Sequence, residues 1–184
     1  MNFFDRLEAV RERWNVLDHP FYTRWSAGEL SREELATYSG EYRHAVVALA
    51  DGLAAAASSA SDPDTRAQLE AHAAEERTHV ELWDRFAVAV GGDSEREPRA
   101  ESAACVAAWT AGDDVLERLV VAYAIESGQP AISQTKLEGL ARHYGMEEGP
   151  ATEYFSLHAE LDHEHAADSR RLIEERVTEA DEDR

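Results

Sequence analysis

Residues 155–172 read FSLHAELDHEHAADSRRL, and Phe155, His158, Asp162, His165, Ser169 and Leu172 recur at intervals of three and four. That is the repeat of one face of an α-helix. Apolar residues bracket the polar ones on the same face, so His158, Asp162 and His165 point inward together. Two more segments share the pattern. Leu69, His72, Glu76, His79 and Trp83 form one stripe, and Leu116, Leu119, Tyr123 and Glu126 another. No strand-length window alternates with period two, so the fold class expected is all-α: a bundle of helices in one domain spanning 1–184.

The helix boundaries follow from local chemistry. A first helix covers about 2–15, with Phe3, Leu7, Val10 and Trp14 as its stripe, and Asp18-His19-Pro20 ends it. After a short segment from Phe21 to Trp25, Ser31-Arg32-Glu33-Glu34 is a capping box that opens a long helix to about Ser58. Asp62-Pro63 opens the next, which runs to Val90 before Gly91-Gly92. Further helices are expected at about 98–111, 114–127, 130–144 and 151–178, with an acidic tail from about 174.

Burying six ionisable groups on inward stripes is costly unless something neutralises them. A metal cluster does so. Glu76-x-x-His79 on one helix, Glu126 on a second and His158-x-x-x-Asp162-x-x-His165 on a third are the ligand types of carboxylate-bridged dinuclear sites in helical bundles. Oxygen and nitrogen donors without thiolate suit iron or manganese better than structural zinc. Glu75 competes with Glu76 but lies one residue off the stripe. His72 lies on the stripe and reads as a partner to a ligand, or a hydrogen-bonded core histidine, rather than a seventh ligand. His163 falls on the solvated side, and His44 and His143 read as ordinary helix residues.

Composition narrows the function. The formal net charge is −20, which repels phosphate backbones and argues against nucleic-acid binding. No apolar run approaches the ~20 residues of a membrane span. The N-terminus lacks a signal-peptide pattern, and Cys105 is the only cysteine, so cytoplasmic residence is expected. Cys105 itself reads as a buried packing residue. A dispersed acidic surface almost without lysine is the composition of a halophilic, high-salt cytoplasm. Of 18 basic residues only Lys136 is a lysine, so a reason why arginine would not serve is worth seeking.

At these residues the chain resembles the heme-oxygenase-like diiron oxidases. Within them it is most similar to the para-aminobenzoate synthases related to the pyrroloquinoline-quinone synthase C and thiaminase II families. Four blocks carry the resemblance: His19-Pro20-Phe21-Tyr22 with Trp25, Gly28-Glu29-Leu30, Tyr38 and Tyr42; Glu76-x-x-His79 with Glu81-Leu82-Trp83 and Phe86; Tyr123, Glu126-Ser127, Pro130, Lys136, Gly139-Leu140 and Tyr144-Gly145; and His158-x-x-x-Asp162-x-x-His165. The resemblance implies a single heme-oxygenase-like helical bundle of about seven to eight helices, usually a homodimer. It implies two iron ions, or iron with manganese, held by the six residues above, with O2 and a reductant as co-substrates. It further implies para-aminobenzoate synthesis for folate-type cofactors from the protein's own side chains. Tyr22 would supply the ring, Tyr38 a second redox-active ring, and Lys136 the amino group. The two-residue gap between Glu76 and His79 is also found in relatives that act on fatty acids. Oxidation or decarboxylation of a free small substrate is therefore the alternative, and a metal-binding regulatory protein the non-enzyme one.

Overall fold

The computed structural model describes residues 2–178 and Asp181. Among them are eight α-helices and a turn of 3-10 helix, and no strand. The α-helices are α1 (Phe3–Arg13), α2 (Pro20–Ala27), α3 (Arg32–Ser59), α4 (Pro63–Val90), α5 (Ala100–Trp109), α6 (Val115–Glu126), α7 (Gln129–His143) and α8 (Glu153–Glu174). None is long and apolar enough to cross a membrane.

The helix starts obey their capping residues. The Ser31 hydroxyl accepts from Glu34 N at 3.2 Å while Ser31 N donates to Glu34 Oε2 at 2.8 Å. Asp62 accepts from Thr65 N at 2.7 Å, with Pro63 in the first helical position. α4 closes on Gly91, whose φ of 77° is left-handed. The short link between α3 and α4 makes these two 28-residue helices antiparallel neighbours. α5 packs on α3, α2 on α7, and α8 against α4, α6 and α7.

Three helices differ from the sequence reading, among them α5 (Ala100–Trp109), which is two residues shorter at each end than expected. α1 stops at Arg13, and its stripe reaches the core only through its beginning: Phe4 is buried and Phe3 and Leu7 pack against it, whereas Val10 is 55% and Trp14 70% exposed. α8 ends at Glu174 rather than near 178, where Arg176 donates to the Leu172 carbonyl at 2.8 Å and satisfies the helix end. The start of the expected acidic tail is tied down, since Glu174 pairs with Arg170 at 2.9 Å and Glu175 with Arg171 at 3.0 Å. Glu179, Glu182 and Asp183 of that tail lie outside the described residues.

The core has two apolar centres. One gathers Phe4, Leu49, Leu53, Leu69, Leu119, Tyr123, Leu172 and Ile173. The other gathers Trp25, Leu35, Val46, Trp83, Phe86, Leu140, Tyr154 and Phe155. On α4, Glu76 and His79 fall between Leu69 of the first centre and Trp83 of the second. On α8, His158, Asp162 and His165 fall between Phe155 of the second and Leu172 of the first. The polar band therefore sits between two greasy plugs, with α4 and α8 antiparallel beside it: His72 meets His165, and His79 meets His158.

Candidate metal centre and lysine pocket

All six expected ligands are buried: Glu76, Asp162 and His158 are each 1% exposed, Glu126 0%, His79 2% and His165 8%. Glu76 is the hub. Its Oε1 lies 3.1 Å from His79 Nδ1 and 3.6 Å from His165 Nδ1, and its Oε2 3.8 Å from His158 Nε2. Glu75 is the outer residue of the pair, with its side chain 46% exposed. Asp162 stands beside the cluster, with Oδ1 3.5 Å from His165 Nδ1.

His72 is more central than its sequence reading. Its Nε2 lies 2.9 Å from Glu126 Oε1, and its ring centroid 4.0 Å from that of His165. Two sets of side chains bring ligand atoms within 4.8 Å of one another: His72, Glu76, Glu126 and His165, and Glu76, His79 and His158. Glu76 belongs to both, while Asp162 belongs to neither. The stripe position of His72 was the signal for this placement.

The polar atoms here face one another but lack hydrogen-bond partners. Both oxygens of Glu76 and of Asp162, Glu126 Oε1, and one ring nitrogen each of His72, His79, His158 and His165 are buried in this condition. Each such atom costs about 1–3 kcal/mol if left unmatched. Cations are the groups that would satisfy carboxylate oxygens and imidazole lone pairs together, so the donor set fits metal ions. His158 is already oriented for the task. Its Nδ1 lies 2.7 Å from the Tyr154 carbonyl, which can only accept, so the neutral ring holds its proton there and turns the Nε2 lone pair to the cluster.

The electrostatics agree. Burial works to raise the Glu76 carboxyl, but the flanking His158 and His79 rings outweigh it and hold the group below the usual carboxylate range. Burial raises Glu126 in spite of His72 beside it. Burial also works to lower His165, yet the Asp162, Glu126 and Glu76 carboxylates push it up to about 9.

Lys136 lies 1% exposed on α7. Its Nζ donates to the Tyr38 hydroxyl at 2.7 Å. The rings of Tyr42, Tyr38, Tyr22, Phe155 and Trp83 surround the same nitrogen, at 4.7, 5.2, 5.5, 5.5 and 5.9 Å to their centroids. No carboxylate pairs with it among the described residues, and burial pulls its pKa down to about 7. Tyr22 and Tyr38 thus share one pocket with Lys136. Tyr42 and Gln129, which the sequence reading gave no site role, belong to it too: Gln129 Nε2 donates to the Tyr42 hydroxyl at 3.0 Å. Tyr42 lies one turn after Tyr38, a helical spacing that marked a shared face.

Aromatic contacts join the pocket to the cluster. Tyr42 meets Trp83 at 5.0 Å, Trp83 meets Tyr154 at 4.9 Å, and Tyr154 stacks on His158 at 4.0 Å. On the other side, Tyr22, Tyr42 and Gln129 line an open cavity of about 780 Å³ with Trp109, Ile132 and Trp14. Cys105 lines it as well. It is half-buried on a cavity wall rather than a core packing residue, because α5 buries none of its residues fully.

A helical fold with this buried histidine–carboxylate band defines a class, and comparison with known proteins identifies it. Residues 7–184 match the TENA/THI-4/PQQC family, to which the chain belongs. It is 34% identical over 185 residues to a 4-aminobenzoate synthase of Chlamydia muridarum, covering 95% of this chain and 78% of that one. It is 28% identical to a 4-aminobenzoate synthase of Nitrosomonas europaea, covering 94% and 78% of the two chains. Among solved structures, a TenA homologue protein from P. horikoshii OT3 superposes with a TM-score of 0.78 at 18% identity, covering all of this chain and 89% of its own. That likeness concerns the fold.

Proposed function

We propose that this protein is an oxygen-activating dinuclear-metal oxidase that makes 4-aminobenzoate, the para-aminobenzoate of folate-type cofactors, from its own tyrosine and lysine side chains. The observation that carries the reading is Lys136: the chain's one lysine, buried among tyrosine rings with no carboxylate partner among the described residues. Relatives called 4-aminobenzoate synthase support it.

Glu76, His79, Glu126, His158 and His165, with Asp162 and His72 beside them, would hold two iron ions, or iron with manganese. When bound, the metal pair supplies the reduction of O2 at the expense of an external reductant. Glu76 belongs to both donor sets and would be shared between them. The Tyr154 carbonyl keeps the His158 proton on Nδ1. The pocket walls keep water from Lys136, which lowers its pKa to about 7 and favours the neutral, nucleophilic amine. The Tyr38 hydroxyl accepts from that amine and orients it between the rings of Tyr22 and Tyr42. Tyr22 contributes the product's ring, Tyr38 a second oxidisable ring and Lys136 the nitrogen.

Lys136→Arg tests this directly. It keeps a cation in the pocket but offers no transferable primary amine. The expected result is loss of arylamine after aerobic reaction with reductant, measured by liquid chromatography–mass spectrometry. Arylamine at the wild-type yield would contradict the role. The roughly 780 Å³ apolar cavity beside Tyr22 favours one second reading, oxidation of a free small substrate. Turnover separates the two: a self-consuming protein stops near one product per chain, and an ordinary oxidase does not.

A further inference from the structure

We propose that the cleft between α4 and α8 is a loading port for divalent cations, and that the carboxylate of Glu75, in front of His165, forms the first protein contact of an incoming ion. This rests on reading the buried cluster as a metal centre. The cleft holds about 360 Å³, and Leu69, His72, Glu75, Glu164, His165 and Asp168 are among its lining residues. It shares no lining residue with the larger cavity at Tyr22 and Tyr42.

The donors in the cleft follow one another inward. Glu75 is half-exposed, and its Oε2 lies 3.4 Å from His165 Nε2. His165 is more than nine-tenths buried, and its other nitrogen, Nδ1, faces Glu76 and Asp162 without a hydrogen bond. The ring thus stands between the mouth and the cluster: in its neutral form a proton on Nε2 faces the Glu75 carboxylate and leaves the Nδ1 lone pair for the cluster. Beside it, His72 leads to the fully buried Glu126. A hydrated dication must exchange its waters for protein ligands one at a time, and a graded series of oxygen and nitrogen donors allows that. The acidic mouth raises the local cation concentration. Asp168 already faces Arg171 at 3.6 Å, which makes Glu75 the mouth carboxylate in contact with a histidine nitrogen. The cavity at Tyr22 is walled mainly by apolar groups and offers a bare dication little. It suits organic molecules, so ion and organic traffic would use different doors.

The test mixes full-length, metal-stripped protein with Co2+ in a stopped-flow instrument and follows the visible absorbance of the coordinated ion. Glu75→Gln should slow loading by about tenfold, within the range of electrostatic steering effects, and leave the final cobalt-to-protein ratio unchanged. Glu160→Gln removes the same charge from an exposed α8 position outside the cleft and should load like wild type. Loading of Glu75→Gln as fast as Glu160→Gln would overturn the port. A lowered final ratio in Glu75→Gln would overturn it too, by making Glu75 a ligand of the resident site. No cobalt uptake by the wild-type protein would overturn the metal centre itself, a result distinct from unaltered kinetics.

Discussion

Lys136 is buried where its charge is disfavoured. Its pKa falls from the ordinary 10.5 to about 7 because folding removes water from the amine. Between those two values the unfolded chain binds the proton and the folded chain does not, so this group makes stability rise with pH across that window. Below about pH 7 the whole penalty is present, on the order of a few kcal/mol. Lys136→Met, similar in length and uncharged, should therefore raise the melting temperature at pH 7, with the gain shrinking as pH approaches 10. Calorimetry at pH 7 and pH 9.5 checks this, and a destabilised variant at both pH values would count against the buried, unpaired amine. Most of the buried polar cluster was legible because polarity on an otherwise apolar helical stripe stands out, as at Glu76, Glu126 and His158. His72 was underweighted because spacing alone does not reveal which residue on another helix a stripe faces; its contact with Glu126 of α6 shows only in the tertiary structure. Tyr42, matched in the resemblance but given no site role, and Tyr154 were left out of the site for a related reason. A tyrosine on an inward stripe is compatible with simple packing, and only the tertiary structure sets Tyr154 on His158.

Among the elements, α2 and α7 position the lysine pocket. A Cβ on Gly139 would come within 2.5 Å of Trp25 Cδ1, and Trp25 Nε1 donates to the Lys136 carbonyl at 3.1 Å. Gly139→Ala is expected to destabilise the protein by roughly 1–3 kcal/mol through overpacking. It should also lower arylamine yield by shifting the α7 backbone that carries Lys136. Urea unfolding together with product assay checks both effects, and an unchanged midpoint would mean that Trp25 has room to move. Helix starts were readable from their caps, as at Ser31 and Asp62, since a cap is a local interaction. The end of α4 at Val90, before Gly91, was readable too, but how far each helix face is buried was not. Val10 and Trp14 continue the spacing of Phe3 and Leu7, but α1 runs past the core and leaves them exposed. Cys105 sits in an apolar sequence, yet α5 meets the bundle along one side and buries none of its residues fully. Periodicity shows that a face exists; it does not show how far the partner element extends.

For the whole molecule, the unmatched atoms between the two apolar centres predict that stability depends on metal. Ions bound to the folded state alone stabilise it by about 2.7 kcal/mol at a hundredfold excess over the dissociation constant. Fe2+ under anaerobic conditions, or Mn2+, should raise the melting temperature of the chelator-treated protein; equal melting curves with and without metal would contradict a centre built from these groups. The central claim is that the protein consumes itself, and isotope labelling reaches it most directly. The chain would be produced with lysine carrying 15N at the side-chain nitrogen, loaded with iron, and exposed once to O2 and reductant. The account predicts 15N-labelled 4-aminobenzoate at no more than about one molecule per chain, with a matching mass loss confined to peptides holding Lys136 and Tyr22. Unlabelled 4-aminobenzoate accumulating over many turnovers, with both peptides intact, would contradict it.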